Sequence, residues 1–219
     1  MKTGILFDLD GTLLDTLEDL TDATNYALGK FGFPPRSLEQ IRKAVGGGAA
    51  NQIRRSLPEG TPEDLVQQIL AVYKPYYAEH CQIKTRPYEG VLSALAELKK
   101  YPMAVVSNKP DTAVKPLCRQ YFPGIYALGE TADCPRKPAP DMIYKAMAAI
   151  GVERCVYVGD SEVDVITANN AGMPCLSVLW GFRDRETIAQ AGPTHFCERT
   201  EDMVFCLEKL IENEENNGK

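Results

Sequence analysis

The sequence lacks the features that mark disulfide-rich, membrane-spanning and nucleic-acid-binding proteins. Its seven cysteines are an odd number and no two follow Cys-x-x-Cys spacing, so neither a disulfide framework nor a zinc site is expected. No apolar run approaches the roughly 20 residues that cross a bilayer. The formal net charge of −6 disfavours nucleic acid or an anionic membrane as a partner. We therefore expect a cytoplasmic globular protein, either a monomer or a homodimer.

What is present falls into two kinds of pattern. Residues 16–84 carry apolar residues at helical spacing, whereas residues 85–211 alternate short apolar strands with helices. A further strand, 3–8, precedes the helical stretch. Such alternation is typical of a parallel α/β sheet. The simplest fold is a doubly wound, Rossmann-like parallel sheet built from residues 1–15 and 85–219, with an all-α cap domain over 16–84 inserted after its first strand.

Polar side chains follow several of the predicted strands. They are Asp8, Asp10 and Gly11 in "DLDGT", Ser107 and Asn108 in "SN", Lys137 in "KPAPD", and Asp160, Ser161 and Asp164 in "GDSEVD". In open parallel sheets, ligands bind in the crevice outside the carboxyl ends of the strands. We therefore expect these four stretches to meet at one edge of the sheet.

The residue types at this edge suit phosphoryl chemistry. The carboxylates of Asp8, Asp10 and Asp160 are hard oxygen ligands, which favour Mg²⁺ over softer metals. Alternation along a strand puts Asp8 and Asp10 on the same side, so one can attack an electrophile while the other exchanges a proton. Ser107 offers a hydroxyl, and Lys137 offers a positive charge for a phosphoryl group.

Each stretch also has a simpler structural interpretation. An Asp-x-Asp pair commonly marks a turn, Ser107 could cap a strand end, and Lys137 could be a solvated lysine. "GDSEVD" could be helix capping by Asp160 or Ser161. For Gly11 the functional interpretation is that a glycine lets backbone N–H groups approach an anion closely. The joint occurrence of these residues at one sheet edge favours a functional site.

The four stretches together resemble the motifs of the haloacid dehalogenase superfamily of phosphatases. The resemblance implies that Asp8 is the nucleophile that forms an aspartyl-phosphate, and that Asp10 is first a general acid and then a base. It implies that Asp8, the Asp10 carbonyl and Asp160 ligate Mg²⁺. The remaining residues would bind the phosphoryl group or support the site: Ser107, Asn108, Lys137 and Gly11 for the former, Asp164 and Ser161 for the latter.

The resemblance also indicates a branch and a substrate. Asp10 stands where dehalogenases and phosphoryl-transferring ATPases of this superfamily lack an acid, so it favours hydrolysis of a phosphate ester. The stretches "VGGGAANQI", "RPYEGV" and "SNKP" are similar to those of phosphoglycolate phosphatases, which makes 2-phosphoglycolate the leading small phosphorylated metabolite. A β-phosphoglucomutase-like phosphomutase, a pyrophosphatase and a non-catalytic binding protein are the alternatives.

The cap should select the substrate. Gly47 and Gly48 could close over the active site, and Arg54 or Arg55 could meet a substrate carboxylate. The alternative is that the glycines only separate two helices and that the arginines are solvated. The sequence leaves these two interpretations open.

Overall fold

The structure, a computed structural model, describes residues 3–217 and divides into two compact units. One unit contains the residues up to Leu14 and those from Pro87 onward, and the other is Asp15–Arg86. Within the described residues, no helix combines the length and the apolar character needed to cross a membrane.

Six of the strands form one parallel sheet in the order β5-β4-β1-β6-β7-β8. The strands of the described chain are β1 (Thr3–Phe7), β2 (Leu14–Asp15), β3 (Arg86–Pro87), β4 (Met103–Pro110), β5 (Tyr126–Glu130), β6 (Arg154–Gly159), β7 (Cys175–Val178) and β8 (His195–Cys197). β1 lies inside the sheet between β4 and β6, and all five of its residues are buried. The remaining strands, β2 and β3, pair with each other where the chain passes between the two units.

Helices follow the strands of the larger unit and pack on the sheet. The helices of the described chain are α1 (Leu17–Lys30), α2 (Leu38–Ala44), α3 (Ala49–Ser56), α4 (Glu63–His80), α5 (Val91–Glu97), α6 (Asp111–Tyr121), α7 (Asp141–Ile150), α8 (Glu162–Asn170), α9 (Arg185–Ala189) and α10 (Met203–Asn217), with 3₁₀ turns at Leu98–Lys100 and Thr200–Asp202. Leu6 and Tyr157 belong to a buried cluster that includes Met142 of α7 and Val165 of α8. α10 contacts β1 and β6. The predicted doubly wound parallel sheet is confirmed.

The smaller unit consists of α1 to α4, which pack against one another in an all-helical cluster. α2 begins with a capping box, in which the Ser37 hydroxyl accepts from the Gln40 N–H and the Gln40 side chain accepts from the Ser37 N–H. Leu28, Ile41 and Ile69 are fully buried. Apolar burial along one face of each helix therefore stabilises this unit.

Candidate active site

The carboxyl ends of neighbouring strands bring three acids and a lysine together. Asp8 directly follows β1, Asp160 directly follows β6, and Asp164 lies in the first turn of α8. Lys137 Nζ is 2.9 Å from Asp8 Oδ1 and 2.7 Å from Asp164 Oδ1. One oxygen from each of the three carboxylates lies within 4.8 Å of the others. The structure therefore assembles at one sheet edge residues that are more than 150 positions apart in the sequence.

The cluster fits a hard metal ion. Asp8 Oδ1 is buried, and apart from its ion pair with Lys137 no hydrogen-bond donor among residues 3–217 is aligned on it. Burial raises the pKa of Asp8 to about 7, although Lys137 acts in the opposite direction. Burial also raises the pKa of Asp160 well above its usual range, and the nearby Asp164 and Asp8 add to this effect. A divalent cation with oxygen ligands would relieve this repulsion and supply a partner for the buried Asp8 Oδ1.

Asp160 is oriented by the main chain around it. Its Oδ2 accepts a hydrogen bond of 2.7 Å from the Phe182 N–H, and its Oδ1 accepts one of 3.3 Å from the Thr12 hydroxyl. Gly11 has a φ of +86°, and a Cβ at this position would overlap the Asp160 carboxylate. The Gly11 N–H donates to the Leu14 carbonyl at 2.9 Å. Gly11 therefore has a structural role, because its own amide is used within the turn and its missing side chain makes room for Asp160. Its expected contribution to anion binding stays a prediction.

The "GDSEVD" stretch combines capping with the site. The Ser161 N–H and hydroxyl donate to Asp164 Oδ2 at 3.1 and 2.6 Å. The other oxygen, Oδ1, accepts from Lys137 Nζ. The two interpretations of this stretch are therefore compatible, because one carboxylate oxygen fixes the start of α8 and the other contacts the lysine.

Lys137 is held from several sides. Burial alone would lower its pKa, but Asp164 and Asp8 raise it well above the usual range, so the ammonium stays charged. The Asn108 side chain accepts from the Lys137 N–H at 2.8 Å and donates to the Lys137 carbonyl at 2.9 Å. Both ends of the Asn108 amide therefore position the Lys137 backbone, and the phosphate-binding role expected for Asn108 stays a prediction.

Tyr157 is a site residue that the sequence did not reveal. It is fully buried in β6, and its hydroxyl accepts from Lys137 Nζ at 3.0 Å and lies 3.2 Å from the Val106 carbonyl oxygen. In the sequence it stands among apolar residues, where a tyrosine reads as part of the core. The one signal is general: a buried tyrosine hydroxyl usually has a polar partner.

A bulge in β4 displays the second motif. Val106 pairs with Leu128 and Pro110 with Glu130, so four steps along β4 correspond to two along β5. Residues 107–109 therefore leave the regular ladder, which is how bulges redirect side chains beside active sites.

The bulge presents a second buried lysine. Lys109 Nζ lies 2.6 Å from Asp10 Oδ1, and the Lys109 side chain is only 3% exposed. The Lys109 N–H donates to the Ser107 hydroxyl at 3.2 Å, and Ser107 is itself buried. Sequence reasoning missed Lys109, although it stands directly after the Ser-Asn pair that was singled out.

The predicted specificity residues belong to the smaller unit. Gly47 and Gly48 have φ values of +72° and +89° and precede α3, which explains the glycines locally. Arg54 forms a bidentate ion pair with Glu63, with its Nη2 2.9 Å from Oε1. Arg55 is exposed and forms no hydrogen bond or ion pair with any residue of the described range 3–217. Of the two arginines, Arg55 is therefore the one whose guanidinium has no ion-pair partner among the described residues.

The fold and the acidic site together define a class of hydrolase. A family model described as haloacid dehalogenase-like hydrolase matches residues 5–178, a span that contains all four motifs. The chain belongs to the haloacid dehalogenase-like hydrolases, and the resemblance found in its motifs is confirmed.

Within this family, the chain is similar to phosphoglycolate phosphatases. Phosphoglycolate phosphatase 1 of Pseudomonas aeruginosa is 33% identical over 220 aligned positions, which cover 95% of this chain and 80% of that protein. The phosphoglycolate phosphatase of Photorhabdus laumondii is 31% identical over an alignment that covers 93% of this chain and 92% of that protein. A crystal structure from Lactobacillus delbrueckii subsp. bulgaricus, whose assignment as a phosphoglycolate phosphatase is itself a prediction, superposes with a TM-score of 0.89 at 37% identity, covering 94% of this chain and 99% of that one.

Proposed function

We propose that the protein is a Mg²⁺-dependent phosphatase that hydrolyses a small phosphate monoester through an aspartyl-phosphate on Asp8. The observation that carries the proposal is the buried Asp8 carboxylate, which lies 2.9 Å from the Lys137 ammonium within a cluster of three acids. A nucleophile placed between a fixed cation and further carboxylates is suited to receive a phosphoryl group.

The residues divide the reaction into two displacements. An Asp8 oxygen attacks phosphorus, the bond from phosphorus to the ester oxygen breaks, and Asp10 donates a proton to the leaving alcohol. Asp10 then accepts a proton from a water molecule, which attacks phosphorus and releases phosphate and the free Asp8 carboxylate. Lys137 and the Ser107 hydroxyl hold the phosphoryl oxygens, and Lys137 neutralises their charge.

The metal would be held by hard oxygens of the same edge. We assign Asp8, Asp160 and the Asp10 carbonyl as its ligands, with Asp164 supporting the site through its contact with Lys137. When bound, Mg²⁺ supplies charge neutralisation for the phosphoryl group and the carboxylates.

The proposed substrate is 2-phosphoglycolate, because the relatives that this chain resembles over most of its length are phosphoglycolate phosphatases. The helical unit, residues 16–84, would act as a cap that selects the substrate. Gly47, Gly48 and Arg55 are the cap residues to test. The enzyme would work in the cytoplasm on this small metabolite.

The test compares the wild-type protein with an Asp8→Asn variant. Phosphate release with Mg²⁺ is measured for 2-phosphoglycolate, sugar phosphates and pyrophosphate. The wild type should prefer 2-phosphoglycolate by kcat/KM, and Asp8→Asn should lose at least about 10³-fold in kcat, since removal of a covalent nucleophile has effects of this size or larger. Because Asn is nearly isosteric, thermal unfolding should show a folded variant.

Three results would contradict this proposal. Unchanged activity of Asp8→Asn would remove the nucleophile assignment. Phosphate transfer between sugar positions without release of free phosphate would indicate a phosphomutase. Preference for pyrophosphate would replace the monoester as substrate.

A further inference from the structure

Two lysines of the larger unit differ from the other ion-paired lysines of the described chain in their burial. The side chains of Lys109 and Lys137 are each 3% exposed. The side chains of the others are at least 42% exposed; these are Lys43, Lys84, Lys100, Lys115 and Lys145. Burial of an ammonium is costly unless a partner compensates it. The proposed function gives Lys137 the role of holding the phosphoryl group, but it gives Lys109 no role.

The fold brings the Lys109 ammonium to Asp10. Its Nζ lies 2.6 Å from Asp10 Oδ1, a distance typical of a strong charge-assisted hydrogen bond. The β4 bulge lets Lys109 reach this partner. A Cβ on Gly129 of the neighbouring strand would lie 2.7 Å from the Lys109 carbonyl oxygen and 2.5 Å from the Asp111 Cα. A glycine opposite the bulge therefore lets the Lys109 backbone approach β5 closely.

We propose that Lys109 is a positioning residue for Asp10, a role that rests on the proposed phosphatase function. The Lys109 ammonium donates to Oδ1, so the proton exchanged with the leaving alcohol, and later with water, is carried by Oδ2. The balance is simple. The ester O–P bond breaks, the Asp8 O–P bond forms, the proton on Oδ2 passes to the leaving oxygen, and Lys109 keeps all its protons.

The test uses the dependence on the leaving group. Lys109→Met and the matched control Lys100→Met, whose lysine is exposed and paired with Glu208, are assayed with 2-phosphoglycolate, glycerol phosphate and p-nitrophenyl phosphate. The value of kcat/KM reports the phosphorylation step. An alkoxide needs a proton to leave, whereas p-nitrophenolate does not. We expect Lys109→Met to lose about 10²-fold on both alkyl phosphates, because general acid catalysis contributes about that much or more.

On p-nitrophenyl phosphate, Lys109→Met should retain kcat/KM within about threefold of wild type, because that leaving group makes little use of a general acid. Lys100→Met should match wild type on all three substrates. Lys109→Arg keeps the charge with a different reach, so it should recover part of the loss on alkyl phosphates. If Lys109→Met does not fold, as judged by circular dichroism, Lys109→Arg carries the same comparison with a smaller selective loss.

Distinct results overturn the inference. An equal loss on all three substrates would assign Lys109 to folding or to phosphoryl binding. A loss confined to 2-phosphoglycolate would assign it to the substrate carboxylate. A wild-type protein that is inactive towards all three esters would overturn the proposed function and the inference with it. If the wild type is active and Lys109→Met loses activity equally on all substrates, or only on 2-phosphoglycolate, the inference fails and the proposed function stands.

Discussion

Some ion pairs of the sheet unit are deeply buried, whereas the Arg54–Glu63 pair of the helical unit is exposed. In the sheet unit, Lys137 pairs with Asp8 and Asp164, and these side chains are 3%, 12% and 0% exposed. In the helical unit, Arg54 contacts both carboxylate oxygens of Glu63, yet the two side chains are 46% and 55% exposed. Exposed pairs contribute little to stability, and buried pairs are costly to assemble and more costly to break. Burial, rather than the number of charge contacts, therefore distinguishes the proposed active site from the surface ion pairs.

Removal of one cation from each unit should give the largest difference between them. Lys137→Met leaves buried carboxylates without their partner, so the free energy of unfolding should fall by about 3–5 kcal/mol and phosphatase activity should be lost. Arg54→Met leaves Glu63 in water and should change stability barely measurably. Urea denaturation of the metal-free proteins, followed by circular dichroism, measures both.

The Lys137→Met variant needs a control for the loss of a positive charge in the same unit. Lys145→Met removes an exposed lysine that pairs with Asp133 in the same unit, and it should behave like Arg54→Met. Equal losses for Lys137→Met and Arg54→Met would show that burial does not separate the two pairs.

The pH dependence of stability should also separate the two units. The pKa of Asp8 is raised to about 7 from an ordinary value of 3.8, so the folded state binds more protons than the unfolded state between about pH 4 and 7. The Asp8 contribution therefore makes the metal-free protein less stable as the pH rises through that window. The hydrogen bond from Arg54 lowers the pKa of Glu63, so its contribution has the opposite sign and is lost as the pH falls.

Metal binding sharpens this contrast, because ligating carboxylates must be deprotonated. At pH 8, Mg²⁺ at a hundredfold excess over its Kd should stabilise the protein by about 2.7 kcal/mol, which corresponds to a rise in Tm of roughly 5–10 °C for a chain of this size. At pH 5 the rise should be much smaller, because protons occupy the Asp8 site. Thermal scans with Mg²⁺ and with EDTA at both pH values check this, and an equal rise at pH 5 and pH 8 would contradict a site built on Asp8.

The sequence predicts the sheet edge well because strand ends and motifs coincide. Asp8 and Asp160 directly follow apolar strands, and Lys137 lies in the loop after β5. Alternation with helices predicts that these strands are parallel. A single physical rule, that ligands gather at the carboxyl ends of parallel strands, is enough to bring them together.

The contacts that the sequence did not predict depend on register and burial. Lys109 reaches Asp10 only because β4 bulges against β5, and strand propensity carries no information on that offset. The Asn108 amide meets the Lys137 backbone across 29 positions of sequence, which no local pattern encodes. The missing Cβ of Gly11 accommodates the Asp160 carboxylate, a contact that its place in the sequence did not predict.

One tyrosine from each unit allows a test with a smaller expected change in stability and activity. The Tyr157 hydroxyl accepts from Lys137 and contacts the Val106 carbonyl in the buried site. In the helical unit, the Tyr26 ring stacks on Tyr76 with centroids 3.8 Å apart, and Tyr26 is 39% exposed. The first tyrosine therefore uses its hydroxyl, and the second uses its ring.

Replacement of each tyrosine by phenylalanine isolates the hydroxyl. Tyr157→Phe should lower the free energy of unfolding by about 1–2 kcal/mol, because a buried lysine loses a hydrogen-bond partner. It should also reduce kcat several-fold with little change in KM, since Lys137 would be less firmly positioned on the transferred phosphoryl group. Tyr26→Phe keeps the stacked ring and should match wild type in both stability and kcat. If Tyr157→Phe is destabilised but retains full kcat, the hydroxyl serves the core alone, because Asp164 and Asp8 then suffice to hold the ammonium in place.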